Sequence, residues 1–129
     1  MSNWNDYVTN NLVGTGLIAE AAILGLAGGI WAISPTLKLT DAEQATIRTA
    51  FDSDKQEQTE SKGITAAGLK YFTLQWSKRS IYGKKGADGI ILVKTKLAVL
   101  VAVYKAPKQA PEATPIVENL ADYLIGLGY

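Results

Sequence analysis

Leu97-Ala98-Val99-Leu100-Val101-Ala102-Val103-Tyr104 decides the fold. Seven aliphatic residues and one tyrosine cannot alternate between core and water. A strand of that composition is covered on both faces. The sequence therefore predicts a central strand with a layer above and a layer below. Its partners lie upstream. Arg79–Tyr82 and Gly89–Thr95 read as strands flanking a turn, Gly83-Lys84-Lys85-Gly86. Leu69–Trp76 carries the strand formers Tyr71, Phe72 and Thr73. Leu17–Leu24 and Ile30–Ser34 read as two strands around Ala27-Gly28-Gly29, with Pro35 ending the second. Leu17–Ile33 is the longest apolar run, but Glu20, Gly25, Gly28 and Gly29 interrupt it. It reads as a buried hairpin rather than a membrane span.

Helical periods frame these strands. Ser2 or Asn3 can cap a first helix of about ten residues, with Trp4, Tyr7, Val8 and Leu12 on one face and Tyr7 at its edge. Thr40-Asp41-Ala42-Glu43 is a capping-box pattern that opens a second helix, with Ile47, Ala50 and Phe51 facing in. Residues 53–63 are polar and charged and read as an exposed loop. Thr114 can cap a last helix with Pro115 as its first residue. There Ile116, Val117, Leu120, Ala121, Leu124 and Leu127 form an apolar arc, with Tyr123 at its margin. The expectation is one α+β domain, residues 1–129, with helices flanking an antiparallel sheet.

Composition narrows the chemistry. Of 129 residues 47% are hydrophobic, enough for a core and too many for a disordered chain. There is no cysteine and no histidine. A thiol nucleophile, thiolate metal ligands, the commonest general base and the commonest metal ligand are therefore missing, and the carboxylates are scattered. A non-enzymatic protein without metal or cofactor is expected. The opening residues have neither a basic region nor an apolar run, so no secretory leader is expected. The net charge of +1 hides an uneven distribution. Residues 70–105 hold eight bases (Lys70, Lys78, Arg79, Lys84, Lys85, Lys94, Lys96, Lys105) against Asp88 alone. Such a block suits an acidic protein or an anionic membrane. It lacks a recognition helix or an RNP-type motif, so nucleic acid is not expected.

Large aromatics mark both ends: Trp4 and Tyr7, then Tyr123 and Tyr129, with Trp31 on an early strand. Two readings fit. They are core aromatics beneath two helices, or they line a groove for a polyproline II ligand. Such a ligand is already extended and offers its carbonyls to indole and phenol donors. The adjacent lysines Lys84 and Lys85 likewise read either as a solvated turn or as a contact for a phosphate-bearing headgroup, helped by Arg79, Lys94 and Lys96.

Four segments together resemble profilins, the protist and plant-type members above all. They are Trp4-Asn5-Asp6-Tyr7-Val8, then Ala21-Ala22-Ile23-Leu24-Gly25 with Trp31-Ala32, then Arg79-Ser80-Ile81-Tyr82-Gly83-Lys84-Lys85-Gly86, and Asn119-Leu120-Ala121-Asp122-Tyr123-Leu124-Ile125-Gly126. The resemblance runs nearly end to end. It implies terminal helices packed together on one sheet face and a further helix on the other. It implies a cytoplasmic, cytoskeletal and monomeric protein that binds monomeric actin, regulates its polymerisation and speeds its nucleotide exchange. Proline-rich proteins such as formins would bind through Trp4, Tyr7, Trp31, Tyr123 and Tyr129. Actin would meet Lys70, Phe72, Gln75, Arg79, Lys85, Thr114 and Asn119. Phosphoinositide lipids would compete there through Arg79, Lys84, Lys85, Lys94 and Lys96. The alternative is a peripheral phosphoinositide-binding domain whose main partner is the membrane. Gln75 stands where many profilins place arginine, and Asn119 where amoeboid ones place lysine. Each lost charge would weaken binding to acidic actin by up to ~1 kcal/mol.

Overall fold

The computed structural model describes residues 4–129. The expected cap at Ser2 or Asn3 lies outside the described residues. Among them, seven strands form one antiparallel sheet in the order β2-β1-β7-β6-β5-β4-β3. These are β1 (Glu20–Gly25), β2 (Ile30–Ile33), β3 (Ile64–Ala66), β4 (Leu69–Trp76), β5 (Ser80–Lys85), β6 (Asp88–Lys94) and β7 (Ala98–Tyr104). The apolar stretch is the inner strand β7, beginning one residue later than the sequence suggests. Leu97 is half exposed.

Alternation along β7 divides the core. Ala98, Leu100, Ala102 and Tyr104 enter one cluster, and Val99, Val101 and Val103 the other. Removing a valine or leucine side chain from water contributes about 1.5–3 kcal/mol. A strand with every residue buried therefore holds both layers to the sheet.

The first layer is the N-terminal segment and the last helix. Helix α1 (Trp4–Asp6) continues as a π-helix over Tyr7–Leu12 and a single 3-10 turn, Val13–Thr15. Val8 and Leu12 are its buried residues. The last helix, α4 (Ala110–Gly126), packs beside it with Ala113, Val117, Leu120, Ala121 and Leu124 inward. The second layer is α2 (Asp41–Thr49) and α3 (Gln56–Lys62), with Ile47, Ala50 and Phe51 beneath. The α+β fold with terminal helices on one face is as expected, but two helices rather than one lie opposite.

Three local expectations are corrected. Residues 53–63 are not a loop: a 3-10 turn, Ser53–Lys55, leads into α3. Gln56-Glu57-Gln58-Thr59-Glu60-Ser61-Lys62 has no apolar stripe, because α3 rests on the sheet through Thr59 alone. The Thr59 carbonyl accepts from the Thr73 hydroxyl at 2.7 Å. Helix α4 starts at Ala110, not at Pro115. Gln109 and Glu112 form its capping box and Pro111 occupies the first turn. Pro115 lies inside on the exposed side, where it forfeits one backbone bond. Finally, Lys84 and Lys85 end β5. The turn is Gly86-Ala87, with Gly86 at φ 60°.

The capping box of α2 also ties the layers together. The Glu43 carboxylate accepts from Thr40 N–H at 2.9 Å, Ala67 N–H at 3.1 Å and Gly68 N–H at 2.9 Å. It thus holds the β3–β4 turn, which the sequence reading did not find, because β3 is only three residues long. Burial pushes the Glu43 carboxyl up. The backbone donors Thr40, Gly68 and Ala67, with the Thr40 hydroxyl, outweigh it and hold the group below its ordinary value.

Candidate functional site

All five aromatics named from the sequence meet. Trp4 lies 4.6 Å from Trp31, 5.5 Å from Tyr7 and 4.9 Å from Tyr129, centroid to centroid. Tyr7 lies 6.3 Å from Tyr123. These spacings are those of interacting rings. The row therefore runs Trp31, Trp4, Tyr7, Tyr123, with Tyr129 edge-on to Trp4. It is not a buried cluster. Tyr123 is 55% and Tyr129 39% exposed, and the other three are half-buried.

Contacts to the backbone set two of the rings. Tyr129 is tied down by its carbonyl, which accepts from Leu97 N–H at 2.6 Å and the Thr95 hydroxyl at 2.8 Å. Trp31 lies over Gly25, where an added Cβ would sit 2.6 Å from its Nε1. The hairpin carrying both is pinned from the opposite layer: Arg48 donates to the Gly25 carbonyl at 2.7 Å and the Gly29 carbonyl at 2.8 Å. Sequence reading found the rings but not Thr95, Gly25 or Arg48, which lack any motif.

The second surface is the uncovered part of β4 and β5. Phe72 and Leu74 are each 65% exposed. Lys70 lies over the Phe72 ring, 5.7 Å from its centroid, and Lys84 is opposite Phe72 in register. Gln75 faces Tyr82 across the same pair of strands. Leu74, which the sequence reading passed over, is the residue skipped where the register shifts between Thr73 and Gln75. Only an exposed bulge in a strand of alternating residues could have pointed to it.

Arg79 does not stand free on this surface. Its Nε donates to Glu118 Oε1 at 3.1 Å, and its guanidinium pairs with Asp122 at 2.8 Å. The same Glu118 carboxylate accepts from the Ser80 hydroxyl at 2.6 Å and from the Tyr82 phenol. Burial pushes the Tyr82 phenol up to about 12, helped by the hydrogen bond and charge of Glu118. Burial works against the Arg79 charge, but Asp122 and then Glu118 outweigh it and raise its pKa. The cluster clamps α4 to β5.

Two expected groupings are divided. Lys94 and Lys96 lie at the far end of the β5–β6 hairpin from Lys84 and Lys85. Lys84 pairs with Gly89, five residues before Lys94, or about 17 Å along a strand. Asn119 parts from Thr114. Thr114 shares a stripe of α4 with Glu118, toward β5, whereas Asn119 lines a groove with Tyr123, Asn10 and Asn11. Among the described residues no helix is long and apolar enough to cross a membrane.

An aromatic row at one end and a half-apolar, basic strand face beyond the helices are two separate exposed surfaces on one small α+β domain. Its family follows from comparison with known proteins. The profilin family model matches residues 2–129. Profilin-1B of Acanthamoeba castellanii is 48% identical over 127 residues, covering 98% of this chain and 99% of that protein. The solved structure of Acanthamoeba castellanii profilin IB superposes with a TM-score of 0.93 over the same shares. The fold is also that of mouse profilin IIa in complex with a double repeat from the FH1 domain of mDia1, at 18% identity, TM-score 0.80 and coverage of 99% and 100%. The chain belongs to the profilin family, which is non-enzymatic and actin-binding.

Proposed function

We propose that the chain binds monomeric actin on the β4–β5 face and a proline-rich segment on the aromatic row, and so regulates actin polymerisation. The observation that carries this reading is the convergence of Trp4, Tyr7, Trp31, Tyr123 and Tyr129 from both chain ends into one exposed row. Steps of 4.6–6.3 Å between rings match about two residues of a polyproline II helix, which rises 3.1 Å per residue. The mouse relative bound to a formin repeat supports the same ligand class. Formins are accordingly the expected proline-rich partners, and the protein works as a monomer in the cytoplasm beside the actin cytoskeleton.

Actin is met by Lys70, Phe72 and Gln75, with Lys85 and Thr114 at the margins. Phe72 supplies the exposed aromatic anchor that interfaces favour, and Lys70 the charge toward acidic actin. Arg79 contributes mainly by holding α4, because two carboxylates already neutralise it. Phosphoinositide headgroups bind at Lys84, Lys85 and Lys70. Lys94 and Lys96 are too distant to join them.

Titration with a proline-rich peptide, followed by tryptophan fluorescence, tests the row. Trp4 and Trp31 respond, whereas Trp76, whose indole donates to the Ala50 carbonyl in the other layer, does not. An unchanged spectrum with no retention on immobilised polyproline overturns the row as a binding site. For the other face, Lys70→Glu with Phe72→Ala abolishes monomer sequestration in an actin assembly assay. Undiminished sequestration overturns that face.

A further inference from the structure

The aromatic row does not stop at Tyr123. That ring is also a wall of an open groove of about 380 Å³ between the N-terminal segment and α4. Asn10 and Asn11 line one side, and Ile116 and Asn119 the other. Among the described residues, none of these three amides has a hydrogen-bond partner within the protein, and all three are exposed. Asn10 and Asn11 lie in the π-helical stretch, where Val13 N–H reaches back to the Val8 carbonyl. Such stretches frequently accompany functional sites.

The two parts of this continuous surface differ in chemistry. Proline has no N–H, so a proline run presents only carbonyls, and donors suffice to bind it. Indole and phenol groups are such donors. An asparagine side chain both donates and accepts. On a run without N–H groups the acceptor oxygens of the three amides go unused. The amides match a segment whose backbone offers N–H and C=O together. At 3.1 Å per residue, a ligand leaving Tyr123 enters this groove within two or three residues.

We propose that the groove lined by Asn10, Asn11, Ile116, Asn119 and Tyr123 is a specificity subsite, and that it binds the uncharged, non-proline residues adjoining the proline run of the same ligand. The proposal rests on the aromatic row being the proline site. Asn119 then belongs to the proline-ligand surface rather than to the actin face. Ligands are discriminated by what adjoins the prolines as well as by the prolines themselves.

The test is a set of isothermal titrations of the full chain. The peptides are a plain ten-proline run, the run extended by three glycines at either end, and the run extended by three sarcosines, which lack N–H. The glycine extension at one end binds five- to tenfold tighter than the plain run, as two added hydrogen bonds predict. The opposite extension and both sarcosine extensions give no gain. The Asn10→Ala, Asn119→Ala variant binds plain and glycine-extended runs equally. Equal affinity of native protein for plain and extended runs overturns the subsite. So does an equal gain at both ends, or a gain that survives sarcosine. If the plain run itself does not bind, the aromatic row fails first and the subsite falls with it.

Discussion

Replacing Glu118 by leucine is the sharpest test of how this fold holds its binding surfaces. Glu118 is one carboxylate serving three donors: the Ser80 hydroxyl and the Tyr82 phenol of β5, and the guanidinium of Arg79 just before that strand. Leucine keeps the volume and removes every acceptor. Arg79 retains Asp122 and the Glu118 carbonyl, so its loss is that of a partly exposed ion pair, about 0–1 kcal/mol. Ser80, only 6% exposed, and Tyr82 are left without their acceptor, at about 1–3 kcal/mol each before water re-enters. Glu118 is itself partly desolvated, and relief of that penalty offsets part of the cost. The expected net loss is about 2–3 kcal/mol, read in urea as a lower midpoint with an unchanged slope. In heat it appears as a fall of roughly 6–15 °C for a domain of this size. Glu118→Gln keeps one acceptor oxygen and loses about 1 kcal/mol. Adding Ser80→Ala and Tyr82→Phe to the leucine variant recovers part of the loss, because donors disappear along with the acceptor. A leucine variant within about 0.5 kcal/mol of the native protein would refute the clamp.

Tyr82, Glu43 and Gly25 each carry a further expected outcome. Tyr82 loses its proton from the fold only near pH 12, against about 10 unfolded, so its contribution is complete below pH 10 and disappears between pH 10 and 12. Tyr82→Phe therefore shows a shallower loss of stability in that window by circular dichroism. Glu43 is depressed in the fold, so its contribution is present above its unfolded value near 4.5 and is lost as acid reaches the folded one. Glu43→Gln costs about 1–2 kcal/mol at pH 7 and flattens the acid limb of the stability profile. Gly25→Ala places a Cβ 2.6 Å from both Trp31 Nε1 and the Gly28 carbonyl. The indole must shift, and affinity for a proline-rich peptide falls at least fivefold while actin sequestration is unaltered. Equal peptide affinity would mean that the Trp31 position is not set by Gly25.

What the sequence discloses here depends on how a residue acts. Rings announce themselves by size, and Trp4, Tyr7 and Tyr123 also by helical phase, so all five members of the row could be named, while whether they form a core or a groove stayed open. The inner strand was legible because no residue of it faces water. Helix α3 was not, since an element resting on one threonine leaves no apolar period. The start of α4 was misplaced because Thr114-Pro115 imitates an N-terminus. The partners of Arg79 were hidden for a different reason. Its acids lie 39 and 43 positions along the chain, on a helix whose rotation only the packed structure fixes. A basic block in sequence therefore overstated the free charge on the surface, and it joined Lys84 to Lys94 although a strand's length separates them.

Helix α4 explains how one small domain presents two surfaces without merging them. Its buried stripe, from Ala113 to Leu124, fixes its axis against the sheet. The flank with Thr114, Glu118 and Asp122 then turns toward β5, and the flank with Ile116, Asn119 and Tyr123 toward the N-terminal segment. Ligands held on opposite flanks need not compete for atoms. Under the proposed function, a chain that carries actin on one and a proline-rich segment on the other raises the local actin concentration at that segment with no new contact between the two partners. The clamp at Glu118 matters to both, because a helix free to roll on its axis would move Tyr123 away from Tyr7 and Thr114 away from β5 in the same motion. Weakening that clamp should therefore lower both affinities together, whereas changes at Gly25 or Asn119 act on the proline side alone.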